Sequence, residues 1–148
     1  MPHSILLCDD DIAILRAAEF KLSRAGYDVR CAHDGLEGWQ ELERRCPNLL
    51  ITDFQMPRLD GFGLCRKVRG NPPTAHLPIL MLTAKGFELL LAQAVADCGV
   101  IAVIAKPFSP RELLQTVQRV LGDEGTYGAL PAIAAMPVEK LQPIRPPR

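Results

Sequence analysis

The fold of this chain is decided by one stretch of sequence, Ile51-Thr52-Asp53-Phe54-Gln55-Met56-Pro57. The apolar run that leads into it, residues 48–52, is typical of a strand buried on both faces of a sheet. Turn-forming residues follow at Pro57 and Gly61, so the strand ends at or just past Asp53. A carboxylate at the end of a buried strand costs free energy unless it is paired. The sequence therefore predicts partners for Asp53 at the ends of other strands.

Three other apolar runs also end in polar residues of a suitable type. Residues 5–8 are followed by Asp9 and Asp10, residues 79–82 by Thr83, and residues 102–105 by Lys106. In a parallel sheet, ligand sites lie beyond the carboxyl ends of the strands, near the switch in strand order. The sequence therefore predicts a single site built from the ends of four strands.

Strands and helices alternate along the chain. Helical periodicity and cap signals predict five helices, at about residues 12–25, 35–45, 61–69, 87–97 and 110–121. A further run at residues 27–31 alternates apolar and polar residues, which indicates a half-exposed strand at a sheet edge. Five strands alternating with five helices predict an α/β fold with a doubly wound parallel sheet.

Length and composition limit the number of domains. A chain of 148 residues supports one domain with a full core. We assign residues 1–122 to this domain and residues 123–148 to a proline-rich C-terminal tail or linker, because no long periodic segment follows residue 122.

Charge and cysteine usage exclude several classes of protein. Lys+Arg and Asp+Glu are equal at 17 each, so no net charge favours nucleic acid or an anionic membrane. No apolar run approaches the ~20 residues of a membrane helix, and the N-terminus lacks the pattern of a signal peptide. The five cysteines include no CxxC pair, which favours free thiols in a reducing compartment. We therefore expect a cytoplasmic protein with no direct nucleic-acid or membrane partner.

The predicted site has a definite chemistry. Three clustered carboxylates repel one another, and a hard divalent cation such as Mg²⁺ compensates them while keeping several waters. Asp10 and Asp53 suit direct ligation, with Asp9 acting through water. A free oxygen of Asp53 can attack phosphorus and form an aspartyl-phosphate. Lys106 and the Thr83 hydroxyl can neutralise the charge on the transferred group.

Four motifs, in this order and at these intervals, closely resemble the receiver domain of bacterial two-component response regulators. They are Leu6-Leu7-Cys8-Asp9-Asp10-Asp11, Asp53-Phe54-Gln55-Met56-Pro57 with Asp60-Gly61, Met81-Leu82-Thr83-Ala84, and Ala105-Lys106-Pro107-Phe108. The resemblance covers residues 3–121. It implies a flavodoxin-like, three-layer fold similar to chemotaxis regulators, with strand order 2-1-3-4-5.

The resemblance implies a phosphoacceptor role rather than turnover of an external substrate. Asp53 would receive a phosphoryl group from the phosphohistidine of a sensor histidine kinase or a histidine phosphotransfer protein. The implied metal ligands are Asp9, Asp10, Asp53 and the backbone carbonyl of Gln55, and the implied phosphate-binding residues are Thr83, Ala84 and Lys106. Pro107 would follow a cis peptide bond, and Gln55 and Lys85 occupy positions that modulate phosphoryl lifetime in similar proteins.

The implied switch is local. Charge added at Asp53 would recruit Thr83 and bias a surface made by the fourth helix, fifth strand and fifth helix. This surface would bind a downstream partner, an output domain of a longer chain, or a second copy of the chain. Val103 departs from the family pattern, because Tyr or Phe usually stands three residues before the lysine. The apolar run Leu89-Leu90-Leu91 indicates either a partner face or a more deeply buried helix.

Two other functions remain open at the level of sequence. A phosphatase of the haloacid dehalogenase type would use Asp9 as nucleophile and Asp11 as general acid, with Thr83 and Lys106 binding phosphate. It would leave the motif around Asp53 without a role. A degenerate receiver used only as a scaffold is the other alternative. A stand-alone receiver and the receiver of a longer protein also remain alternatives.

Overall fold

The computed structural model of the chain describes residues 2–84, 88–123 and 136–137. The strands are β1 (Ser4–Cys8), β2 (Asp28–Ala32), β3 (Leu49–Asp53), β4 (Ile79–Thr83), β5 (Ala102–Ala105) and β6 (Met136–Pro137). The helices are α1 (Ile12–Arg24), α2 (Gly35–Arg44), α3 (Gly61–Gly70), α4 (Glu88–Cys98) and α5 (Pro110–Leu121), with a single 3-10 turn at Pro72–Thr74. Among the described helices, none is long and apolar enough to cross a bilayer.

The first five strands form a parallel sheet in the order β2-β1-β3-β4-β5, which confirms the predicted fold. Side chains alternate between the two faces of a strand, so the sheet has two cores. One core packs against α1 and α5, and the other packs against α2, α3 and α4. The strand order reverses at β1, because β2 lies on one side of it and β3 on the other. The carboxyl ends of β1 and β3 therefore border the switch point.

Burial differs between the middle and the edge of the sheet, as predicted. Every residue of β3 and of β4 is buried, because helices cover both faces of these central strands. β2 is mostly half-buried and lies at the edge. Asp53 is the last residue of β3 and lies in the interior, because the whole strand is buried and residues 49–51 are apolar.

Helix starts follow the predicted cap signals, with one difference. The carboxylates of Asp11, Asp34 and Asp60 accept backbone N–H groups in the first turns of α1, α2 and α3. A capping box at Ser109 and Glu112 starts α5. At the start of α2 only Asp34 caps the helix, because the carboxylate of Glu37 lies 3.3 Å from the ring of His33.

The C-terminal segment adds one feature that the sequence did not predict. Gly122 ends α5 with a left-handed φ of 77°, and the domain boundary assigned at residue 122 stays a prediction. Beyond it, Met136–Pro137 forms the two-residue strand β6, which pairs antiparallel with β5. So short a pairing needs only the free edge of β5 and leaves no periodic pattern in the sequence. For the other residues of 124–148, the tail assignment stays a prediction outside the described residues.

Candidate functional site

The four strand ends that the sequence singled out converge at one place. The ammonium of Lys106 lies 2.7 Å from Oδ2 of Asp9 and 3.2 Å from Oδ1 of Asp53. The backbone N–H of Lys106 donates to the carbonyl of Thr83 at 2.7 Å. The predicted meeting of Asp9, Asp53, Thr83 and Lys106 is therefore present in the structure.

Asp53 is held on one of its two carboxylate oxygens. Its residue is 6% exposed, and Oδ1 accepts the backbone N–H of Phe54 at 3.0 Å as well as facing Lys106. Burial, followed by the negative charge of Asp9, raises the pKa of Asp53 to about 6 despite the opposing effect of Lys106. The described contacts of this carboxylate therefore fall on Oδ1, and Oδ2 is the less engaged oxygen.

Asp9 is the most deeply buried acid of the site, with 1% of its surface exposed. Its Oδ2 accepts the ammonium of Lys106 and its Oδ1 accepts the backbone N–H of Asp11 at 2.9 Å. Both oxygens of this carboxylate are therefore engaged. Asp10, one residue further on, is exposed. The turn after β1 thus presents one buried and one open carboxylate to the same site.

The site carries more negative than positive charge. Burial disfavours the charged form of Lys106, but the pairs with Asp9 and Asp53 outweigh this effect and raise its pKa above the ordinary value. Ligand atoms of Asp9, Asp10 and Asp53 lie within 4.8 Å of one another, and the ammonium of Lys106 pairs with only two of these carboxylates, Asp9 and Asp53. This oxygen-only, negatively charged donor set fits a hard divalent cation. An open cleft beside it is lined by Asp10, Gln55, Met56, Pro57 and Asp60.

Thr83 and Ala84 lie at the end of β4, where the resemblance placed phosphate-binding groups. Thr83 is 7% exposed, and its hydroxyl donates to the carbonyl of Ala84 at 3.1 Å. Ala84 itself is exposed. The predicted modulator Lys85 lies outside the described residues. The Lys106–Pro107 peptide bond is cis, as the resemblance implied.

The sequence model of one protein family, the response regulator receiver domain, matches residues 5–118 of this chain. The chain belongs to this family. Among curated relatives of the receiver, the transcriptional regulatory protein GltR of Pseudomonas aeruginosa is 42% identical over 80% of this chain and 49% of its own length. The DNA-binding dual master transcriptional regulator RpaA of Synechocystis is 39% identical over 82% of this chain and 49% of its own length. The receiver thus spans about half the length of the curated relatives it matches.

Solved structures agree with the fold of the receiver. A putative response regulator from Chloroflexus aurantiacus has a TM-score of 0.75 and 41% identity, covering 82% of this chain and 99% of its own. The chemotaxis response regulator CheY4 of Vibrio cholerae has a TM-score of 0.75 and 32% identity, covering 81% of this chain and 99% of its own. Each alignment covers nearly the whole of the solved structure, so the match extends across the receiver.

The loop after β3 supports the receiver site through contacts that the sequence analysis missed. A Cβ at Gly61 would collide with the backbone carbonyl of Asp53, so glycine is required for this close approach. The N–H of Gly61 also donates to the carbonyl of Phe54 at 2.9 Å. The sequence identifies the Asp60-Gly61 dipeptide as a turn and as part of the receiver motif. A close approach of backbone to glycine would have been a second interpretation.

Arg58 stabilises the same loop, and no pattern in the sequence predicts this role. It adopts a positive φ of 71°, which is uncommon for a residue with a side chain. Its guanidinium lies 3.2 Å from the carboxylate of Asp34, the N-cap of α2. The loop that follows β3 is thereby tied to a neighbouring helix.

Val103 occupies the position of the expected aromatic residue. It is 6% exposed, belongs to the core beneath α2, α3 and α4, and pairs with Met81 of β4. Met136 of β6 lies opposite it on the other side. The valine is therefore a packed strand residue with a neighbouring strand on each side.

Proposed function

We propose that this receiver accepts a phosphoryl group on Asp53 from the phosphohistidine of a sensor kinase or a histidine phosphotransfer protein. The observation that carries the proposal is the buried Asp53, which is held through Oδ1 beside Lys106 while Asp9 pairs with the same ammonium. This arrangement orients one carboxylate and supplies the cation that phosphoryl transfer needs.

The transfer is a single displacement at phosphorus. Oδ2 of Asp53 attacks, an O–P bond forms, and the P–N bond to the donor imidazole breaks with its electron pair leaving on nitrogen. The departing imidazole takes a proton from solvent. Lys106, the Thr83 hydroxyl and the backbone N–H of Ala84 are the groups of this chain that would bind the phosphoryl oxygens.

The donor set also fits Mg²⁺, which Asp9, Asp10, Asp53 and the Gln55 carbonyl would hold. When bound, the ion would supply positive charge that compensates the carboxylates and the phosphoryl oxygens. The raised pKa of Asp53 supports a role for added positive charge at this site. Positive charge close to the carboxyl group lowers its pKa, so more of Asp53 is the nucleophilic anion at neutral pH.

The signal would leave through the surface made by α4, β5 and α5. Thr83 ends β4 next to this surface, and Leu89 on α4 is 66% exposed. The partner is a separate protein, an output domain of a longer chain, or a second copy of this chain. The comparisons do not support the expected absence of a nucleic-acid partner, since the relative RpaA is named as a DNA-binding transcriptional regulator. All five cysteines are free, which supports a reducing cytoplasm.

The phosphatase alternative is less well supported by the geometry. It requires Asp9 as nucleophile, but Asp9 is 1% exposed and both its oxygens are engaged. It would also leave the paired and buried Asp53 without a role. The scaffold alternative predicts that no phosphorylation occurs.

The proposal is tested by intact-mass measurement after incubation with acetyl phosphate, with and without Mg²⁺. We expect the wild type to gain one phosphoryl group only with Mg²⁺, and Asp53→Asn to gain none. Asp11→Asn is the matched control, because its side chain caps α1 away from the reacting carboxylate, and it should be labelled like the wild type. Label that persists in Asp53→Asn and is lost in Asp9→Asn would favour the phosphatase. The absence of label in the wild type would favour the scaffold.

A further inference from the structure

The outer edge of β5 is covered by a segment of the same chain. In β6, Pro137 lies opposite Ala102 and Met136 opposite Val103, in antiparallel register. Without this segment β5 would be the last strand of the sheet, with a row of unpaired backbone groups open to another strand. The pairing therefore closes the edge that belongs to the proposed partner surface.

The residues of β6 are suited to ending a sheet rather than extending it. Proline has no backbone N–H to donate to a further strand, and for this reason it is found at sheet edges. A two-residue strand also offers little length for further pairing. Native proteins protect edges with very short strands and with proline, and β6 combines both devices.

Burial on α5 is consistent with a covered edge. Leu114 and Gln118 line a cavity that α5 shares with Lys21 of α1, so this flank of α5 faces α1. Thr116 does not line this cavity and yet is only 1% exposed. Its hydroxyl is bonded within the helix, to the carbonyl of Glu112 at 3.0 Å. Burial on α5 thus extends beyond the side that faces α1.

Chain length permits an intramolecular connection. The 12 residues 124–135 separate Asp123, which follows α5, from Met136. At up to ~3.3 Å per residue, this length is ample to return the chain from the end of α5 to the neighbouring strand. A second copy of the chain is not needed to supply β6.

We propose that residues 136–137 are an intramolecular edge strand that closes β5 to an incoming strand. A partner or second copy must then bind this surface through the helices α4 and α5, or displace residues 136–137 before it can pair with β5. The regulatory part of this proposal rests on the proposed function, which assigns partner binding to that surface. The edge strand itself does not depend on phosphorylation.

The first test is a backbone NOE measurement on the full chain. We expect contacts between residues 103 and 136, and between residues 102 and 137. A sample that mixes isotope-labelled and unlabelled chains separates contacts within one chain from contacts between two. Absence of these contacts, or their presence only between chains, would overturn the proposal.

The second test is residue-resolved amide exchange in Met136→Asp, again in the full chain. The amides of β5 should exchange about three- to tenfold faster than in the wild type, as expected for loss of one or two net hydrogen bonds. Leu141→Asp is the matched control, because it adds the same charge to the C-terminal segment outside the paired residues, and it should leave β5 unchanged. The amides of β2, at the opposite edge, should not change in either variant. Equal effects of the two variants, or no effect of Met136→Asp, would contradict the proposal.

Labelling by acetyl phosphate separates this proposal from the proposed function. Met136→Asp should be phosphorylated on Asp53 like the wild type, since the described pairing of β6 does not include the acidic site formed by Asp9, Asp10 and Asp53. Failure of both proteins to be labelled would count against phosphorylation at Asp53, while the exchange result would still decide whether β6 covers β5.

Discussion

Two groups of aspartates in this molecule have opposite environments. Asp11 and Asp60 are exposed, cap helices and accept backbone N–H groups only two or three residues away. Asp9 and Asp53 are buried at strand ends and share the ammonium of Lys106, which for Asp9 is 97 residues away in sequence. Asp9 and Asp53 also accept one nearby backbone N–H each, but the ammonium that pairs with their charge reaches them only through the fold. The two groups should therefore respond differently to substitution.

The largest expected effect follows from removing the shared cation. Lys106→Met leaves Asp9 and Asp53 buried without their ammonium, and we expect a loss of about 2–3 kcal/mol in the free energy of unfolding at pH 7. The loss should shrink as the pH falls to 5, because protonation neutralises the carboxyl groups. Urea unfolding at the two pH values measures both effects. Lys21→Met on α1 is the control and should change stability by no more than about 0.5 kcal/mol. If Lys106→Met lowered the free energy of unfolding as little as Lys21→Met, the ion pairs of Lys106 with Asp9 and Asp53 would not contribute to stability.

The next effect concerns the pKa of Asp53, which is raised from its ordinary value of 3.8 to about 6. Between these values the unfolded chain ionises first, so the contribution of Asp53 to stability is greatest below pH 3.8 and is lost as the pH rises through 6. Carboxyl ¹³C NMR should report this pKa directly. Asp9→Asn should lower it by removing a neighbouring negative charge, and addition of Mg²⁺ should lower it as well.

The contrasting control for that titration is Asp28→Asn, which changes an exposed carboxylate on the edge strand β2. It should leave the pKa of Asp53 unchanged. A pKa of Asp53 at or below 3.8 in metal-free protein would contradict the assigned effect of burial and of Asp9.

The smallest effect separates two adjacent aspartates. Asp11→Ala removes the cap of α1 and should cost about 1 kcal/mol in the free energy of unfolding, with no loss of stabilisation by Mg²⁺. Asp10→Ala should change stability by no more than about 0.5 kcal/mol without metal, since the side chain is exposed. It should nevertheless weaken the stabilisation by Mg²⁺. Urea unfolding with and without Mg²⁺ distinguishes Asp11→Ala from Asp10→Ala. If Mg²⁺ stabilised both variants equally, Asp10 would not act as a metal ligand distinct from the helix cap Asp11.

Much of the site could be predicted because its members have a local signal. Asp9, Asp53, Thr83 and Lys106 each follow an apolar run, and parallel strands bring their carboxyl ends to one edge. Gly61 had a partial signal in its turn dipeptide, but the collision with the carbonyl of Asp53 that requires glycine depends on the path of the loop. Arg58 had none, since its positive φ and its contact with Asp34 arise from packing between two segments distant in sequence.

The sequence by itself determined the alternation of strands and helices, the order of the four motifs and the candidate phosphoacceptor. These follow from periodicity and from turn and cap chemistry, which act over a few residues. The tertiary structure decided which oxygen of Asp53 is held, how Lys106 is shared with Asp9, and where Met136–Pro137 pairs. Each of these depends on atoms from segments far apart in the chain, and their distances exist only once the sheet has assembled.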